Sequence, residues 1–176
     1  MSTDRPPTDA AGGFRCGTCD SWHDGLPLSF HVPAPAVWSP ELEDREDSIL
    51  DDELCVIHGE HHFIRGLIRV PVVGHDVCFE WGVWASLSEG NFRRTIEGWD
   101  RAGREKMAPM FGWLSVALPT FAEPTLSLKT MVHTQPIGHR PLIELEPTDH
   151  PLAVEQREGI SWAQLQRRVA VLLGPA

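Results

Sequence analysis

Between Asp76 and Ser88 the chain reads DVCFEWGVWASLS, in which Val77, Phe79, Trp81, Val83, Ala85 and Leu87 fall on every second position. Successive side chains of a strand point to opposite faces, so this run presents one unbroken apolar face to a core. The preceding run, LCVIHGEHHFIRGLIRVPVV, is equally rich in β-branched and aromatic residues. Gly74, His75 and Asp76 separate the two by a turn of hairpin length. Three further stretches read as strands: MFGWLSVALP, TLSLKTMVHTQP and RPLIELEP. In the second of these, Leu126, Leu128, Thr130 and Val132 share one face, and Lys129, Met131, His133 and Gln135 the other.

Helical signals lie around these runs. Ser39, followed by Pro40, Glu41 and Glu43, predicts a short acidic helix to about Leu50. Ser88 is placed to cap a helix whose staple is Leu87 with Phe92 and whose apolar stripe continues through Ile96 and Trp99. Near the end, Pro151 opens a short helix that Gly159 stops. Ser161 and Gln164 then form a capping box for a last helix, to about Leu173, that buries Leu165, Val169 and Leu172. Consecutive strands followed by helices, without βαβ alternation, indicate an α+β fold: a largely antiparallel sheet of about five strands with helices packed on it and a C-terminal helix pair.

At 176 residues and 41% hydrophobic content, with seven Trp and seven Phe, the chain suffices for one core. Residues 14–174 are expected to form a single globular domain. Residues 1–13, MSTDRPPTDAAGG, have no apolar run behind a basic segment and read as a disordered tail rather than a signal peptide. No apolar stretch approaches the roughly 20 residues that span a bilayer. A cytoplasmic location is the default expectation, and four cysteines without a secretion signal favour reduced thiols or metal ligation over disulfides. The net charge of -10, from 15 Lys plus Arg against 25 Asp plus Glu, argues against nucleic acid and anionic membrane as partners. The basic stretch RRTIEGWDRAGREK reads as a solvated helix face.

The sharpest chemical signal is FRCGTCDSWHDGLP at residues 14–27. Cys16 and Cys19 have the spacing of a zinc knuckle, in which one tight turn, eased by Gly17, aims two thiolates at a tetrahedral ion. Structural zinc takes four ligands, and His23 and Cys55 complete a set of Cys16, Cys19, His23 and Cys55. His58 competes for the fourth place, although positions 55 and 58 of a regular strand face opposite ways. Two other readings of the pair stand beside zinc: reduced cysteines in a turn, and a redox motif, which would need a preceding buried strand that this segment lacks.

A second constellation runs from His133 to Arg157 and includes His139, Arg140, Glu144, Glu146, Asp149, His150 and Glu155. Histidine beside carboxylate is the usual material of general acid–base catalysis, and His150 with Glu155, and His133 in support, are the candidate catalytic residues. The structural alternative makes Ile143 and Leu145 inward and Glu144 and Glu146 outward positions of one strand, with Asp149 or His150 as a helix cap. No nucleophile elbow, phosphate loop or His-Glu-x-x-His pair is present. The adjacent His61 and His62 fall on opposite faces of a strand, as do Trp81 and Trp84.

The stretches CGTCDSWHDGLP, LCVIHGEHHFIRG, FEWGVWASLSEGNF, FGWLSVALP and RPLIELEPTDHPLAVEQREGI together resemble the bacterial family of uncharacterised proteins described as domain of unknown function 2199. The resemblance runs from about Phe14 to the last helix. It implies no activity, but it places Cys16, Cys19, His23 and Cys55 in a shared pattern and leaves His58 and Cys78 outside it. The combined expectation is a zinc-stabilised binding or regulatory module whose acidic surface suits a basic protein partner. The rival is a small hydrolase-like or metal-dependent enzyme built on His150, Glu155 and His133.

Overall fold

The computed structural model describes residues 14–15, 22–23 and 25–174. Two short strands, β1 (Phe14–Arg15) and β2 (Trp22–His23), pair with each other. The main sheet contains β3 (Ser29–His31), β4 (Ile49–Leu50), β5 (Leu54–Ile57), β6 (His61–Pro71), β7 (Cys78–Leu87), β8 (Met110–Leu114), β9 (Lys129–His133) and β10 (Leu142–Leu145). Helix α1 (Glu89–Glu97) follows β7, and α2 (Pro151–Glu158) and α3 (Trp162–Leu173) end the described chain.

The long alternating runs form the antiparallel β6–β7 hairpin, in register from His62 opposite Leu87 to Pro71 opposite Cys78. Gly74, with φ of 80°, supplies the left-handed backbone of its turn. From this hairpin the sheet continues through β8, β9 and β10 and returns to β6, closing a five-strand barrel to which β3, β4 and β5 are added outside the ring. Here the structure differs from the expected largely antiparallel sheet of about five strands in closing on itself and in including parallel pairs. Strand direction cannot alternate around a ring of five, so one neighbouring pair must run parallel, and that pair is β10 with β6. A second parallel pairing joins β3 to β7. The mixed α+β character and the C-terminal helix pair are as expected.

Phe79, Trp81, Val83, Ala85 and Leu87 of β7 are buried, and their partners Val70, Ile68, Gly66, Ile64 and His62 bring the apolar face of β6 against them. Met110, Leu114, Thr130, Val132, Ile143 and Leu145 complete the interior from the other three strands. Gly66 is required by this closure: a Cβ there would stand 2.7 Å from Ile143 Cδ1 and 2.9 Å from the Pro141 carbonyl. On the outer face of β7, Trp84 is also fully buried, and its indole N–H donates to the Val32 carbonyl at 3.0 Å. Trp81 and Trp84 therefore straddle the strand as the alternation predicts.

The helix caps are also legible in the structure. The Ser88 side chain accepts from the Asn91 N–H, and Ser161 and Gln164 form the reciprocal capping box. Gln156 of α2 holds that helix to the barrel, accepting from the Leu145 N–H at 2.8 Å and donating to the Ile143 carbonyl at 2.7 Å. The acidic helix expected after Ser39 is reduced to one 3-10 turn, Pro40–Leu42, with no side-chain cap bond from Ser39. Leu42 is its single buried residue, and a short charged segment with so little to bury does not sustain a helix. The chain turns instead and pairs β4 with β5.

Candidate functional site

Of the expected metal ligands, Cys16 and Cys19 lie outside the described residues, and His23 is on β2 opposite Phe14. Cys55 is fully buried on β5, where burial, with the charge of Asp51 adding to it, pushes the thiol up to about 12. His58 is exposed in the left-handed region, φ 54°, with Nδ1 3.7 Å from Asp47 Oδ1. Among the described residues no three His, Cys, Asp or Glu side chains are grouped so as to hold a metal ion.

The three candidate catalytic residues separate into two places. His133 on β9 meets Glu144 on β10 at 2.6 Å, on a groove that also contains Arg69 and Gln156. His150 caps α2 and Glu155 lies in the middle of that helix, and both border the same aromatic cluster. His150 is the N-cap of α2: its Nδ1 accepts from the Leu152 N–H at 3.1 Å, so the neutral ring carries its proton on Nε2. Its ring is 6.1 Å from that of Phe121. Glu155 Oε1 accepts from Arg168 Nη2 at 2.6 Å.

Arg168 closes the end of the barrel where β7 begins. Its side chain, 8% exposed, projects from α3 with the guanidinium carbon 5.6 Å from the Trp81 ring, 5.9 Å from Phe79 and 5.1 Å from Phe121. The rings attract the cation but offer no in-plane acceptor. Arg168 Nε and Nη1, Trp81 Nε1, His150 Nε2, Thr120 Oγ1 and Glu155 Oε2 are all buried with no hydrogen-bond partner among the described residues. Each such atom costs about 1–3 kcal/mol. Beside them a cleft of about 500 Å³ is lined by Thr120, Phe121, Glu155, Gln164, Arg167 and Arg168, with Pro119, Ala122 and Val171 as apolar walls.

A second cavity occupies the other end, where β7 and β9 finish and β6, β8 and β10 begin. It holds about 220 Å³, the volume of roughly seven waters. Ile64, Trp99, Met107, Ile137 and Pro141 give it apolar walls, and Glu53 and Arg140 stand at its polar side. Arg140 donates to both carboxylate oxygens of Glu53, through Nε at 2.9 and 3.0 Å and Nη2 at 2.6 Å, which holds the guanidinium firmly charged. Arg104, 7% exposed, shapes the cavity by donating to the carbonyls of Trp99 at 2.7 Å, Gln135 at 2.7 Å, His139 at 3.0 Å and Pro136 at 3.3 Å. One side chain thus ties the end of α1 to the β9–β10 loop.

The Glu53–Arg140 pair joins residues 87 positions apart, and no local pattern announces it. Arg104 is equally silent in its polar surroundings. Arg168 is different, because Leu165, Arg168, Val169 and Leu172 follow the i, i+3, i+4, i+7 spacing of one helix face. A charged residue inside a buried stripe is the signal that could have singled it out.

A family model described as an uncharacterised protein conserved in bacteria, domain of unknown function 2199, matches residues 15–160. No curated protein and no solved structure matches the chain.

Proposed function

The chain belongs to that bacterial family of uncharacterised proteins, a membership that carries no activity with it, and we propose that it works as a binding or regulatory module without catalytic activity. The observation that carries this reading is the cavity of about 220 Å³ at the α1 end of the barrel. Its largely apolar wall and one strongly oriented ion pair are the composition of a small-molecule site, and the mouth of a barrel is a common place for one. The ligand is a small, mainly apolar molecule with one polar head turned toward Glu53 and Arg140. The cavity is preformed because Arg104 and the Glu53–Arg140 pair fix its walls before any ligand arrives.

The enzyme reading has less support. His133 is paired with Glu144 on a separate groove, His150 Nδ1 is committed to its helix cap, and Glu155 Oε1 to Arg168. An acid and a base converging on one reacting atom would be needed. The structural zinc ion on Cys16, Cys19, His23 and Cys55 belongs to the same proposal and rests on the sequence spacing. A zinc ion would have to draw the proton from a Cys55 thiol that burial otherwise keeps neutral. The acidic surface is offered to a basic protein partner in the cytoplasm, and no helix among the described residues is long and apolar enough to cross a membrane.

Titration with small amphipathic alcohols and amides, followed by the NMR signal of the Trp99 indole, tests the cavity. Saturable shifts are expected at Trp99, with none in Ile137→Trp, whose larger side chain fills the entrance. Shifts that survive in Ile137→Trp would remove the cavity as the site. Metal analysis of the purified protein tests the zinc: one ion per chain, lost in Cys16→Ser, is expected, and a metal-free wild type would sink it.

A further inference from the structure

We propose that the cleft at the other end of the barrel, between residues 119–122 and helices α2 and α3, binds a small organic carboxylate seated on Arg168. This site lies beyond the α1-end cavity and does not depend on it. The site is marked by unused hydrogen-bonding groups. Arg168 is more than nine-tenths buried, yet only its Nη2 has a partner, leaving Nε–H and Nη1–H free. The Trp81 indole N–H is a third free donor, and the His150 Nε2–H, whose proton position follows from its Nδ1 accepting the cap bond, is a fourth. Against these stands one free acceptor, Glu155 Oε2, with the Thr120 hydroxyl able to serve either way. A buried cluster with this excess of donors is complemented by an oxyanion.

Charge points the same way. Arg167, Arg168 and Glu155 all line the cleft, an excess of one positive charge in a chain whose formal net charge is -10. One carboxylate brings the site to neutrality, with Glu155 keeping Nη2 and the ligand meeting one of the free N–H groups of Arg168, the residue of the donor cluster that lines the cleft. The walls distinguish among anions. Pro119, Phe121, Ala122 and Val171 are apolar, so the occupant carries a hydrocarbon or aromatic body behind its carboxylate. A bare inorganic phosphate would leave that surface uncovered. Phe121, half-buried, lies on an irregular segment and is the one ring over Arg168 that is not part of a strand, and it turns aside to admit the carboxylate.

The test titrates the full chain with sodium benzoate, benzamide and inorganic phosphate in parallel, reading thermal midpoint and the NMR signals of the Arg168 Nε–H and the Trp81 indole. Saturable binding of benzoate, with benzamide and phosphate at least tenfold weaker, is expected. Arg168→Gln should abolish it. Because that variant removes a buried ion pair and can fail to fold, Arg167→Gln, which changes an exposed side chain, is the second reading: a three- to tenfold loss of affinity is expected. Ile137→Trp should leave benzoate binding unchanged. Equal binding of phosphate, equal binding of benzamide, wild-type affinity in Arg167→Gln, or no saturable response to benzoate would each overturn the proposal.

Discussion

Replacing Arg104 by Met removes a cation that reaches four main-chain carbonyls on two separate segments while preserving most of the side chain's volume. A hydrogen bond from a charged donor contributes about 1.5–3 kcal/mol, which for four bonds overstates the effect. Two of the four share Nη2, and the longest, to Pro136 at 3.3 Å, is weak. Removing the cation also relieves its own desolvation penalty. Against this relief, the carbonyls of Trp99 and Gln135, each bonded at 2.7 Å, lose a strong donor, and the 5.4 Å contact of the guanidinium with the Trp99 ring is lost as well. The balance is a destabilisation of about 3–4 kcal/mol, comparable to breaking a buried ionic contact. In urea, with a slope near 2 kcal/mol/M, that lowers the midpoint by roughly 1.5–2 M. For a chain of this size the thermal midpoint falls by about 10 °C. Arg104→Lys retains the charge but not the planar fork, so it should lose most of the same stability. A Met variant within about 1 kcal/mol of wild type would mean that water reaches the carbonyls unaided and that Arg104 does not clamp the loop. A Lys variant as stable as wild type would show that charge, and not fork geometry, does the holding.

Gly66→Ala places a methyl against Ile143 and the Pro141 carbonyl and should cost about 1–3 kcal/mol by chemical denaturation. Ile143→Val in the same chain should recover part of that loss, and a neutral Gly66→Ala would show that the barrel is looser there than its closure implies. Ser161→Ala removes the α3 capping bond and should lower stability by about 1 kcal/mol, with Ser161→Asn close to wild type. In protein stripped of metal by a chelator, alkaline stability reports on Cys55. The unfolded thiol ionises near pH 9 while the native one is held up to about 12, so the unfolded state releases a proton first and stability falls as pH rises between those values. Cys55 contributes about 1.4 kcal/mol per pH unit to the unfolding free energy from urea titrations across that range, and the slope should be shallower by that amount in Cys55→Ala. Equal slopes in the two proteins would indicate a Cys55 that is already ionised.

What the sequence determined by itself is the local part of this protein. The period-2 run from Val77 to Leu87 and the turn at Gly74 are enough to specify the β6–β7 hairpin and its inward face. Ser88, Pro151, Gly159 and the Ser161–Gln164 box place the three helices, because a cap acts within one turn of its own chain. The acidic segment after Ser39 shows the limit of such signals, since its first residues suited a helix start but it had almost nothing to bury. His150 and Glu155 could be named as chemically interesting, and Arg168 stood out only as a charge within an apolar helix stripe, with nothing local to say that it pairs with Glu155. Tertiary structure decided the rest. Alternation makes each strand two-faced without saying which edges meet, and only the return of β10 to β6 turns a sheet into a ring and forces a parallel pair. That ring creates two ends, and its ends place Arg140 beside Glu53 and drive Arg168 from a helix stripe into a cage of Phe79, Trp81 and Phe121. Those contacts join positions tens of residues apart, and their energies depend on burial that exists only once the barrel has closed.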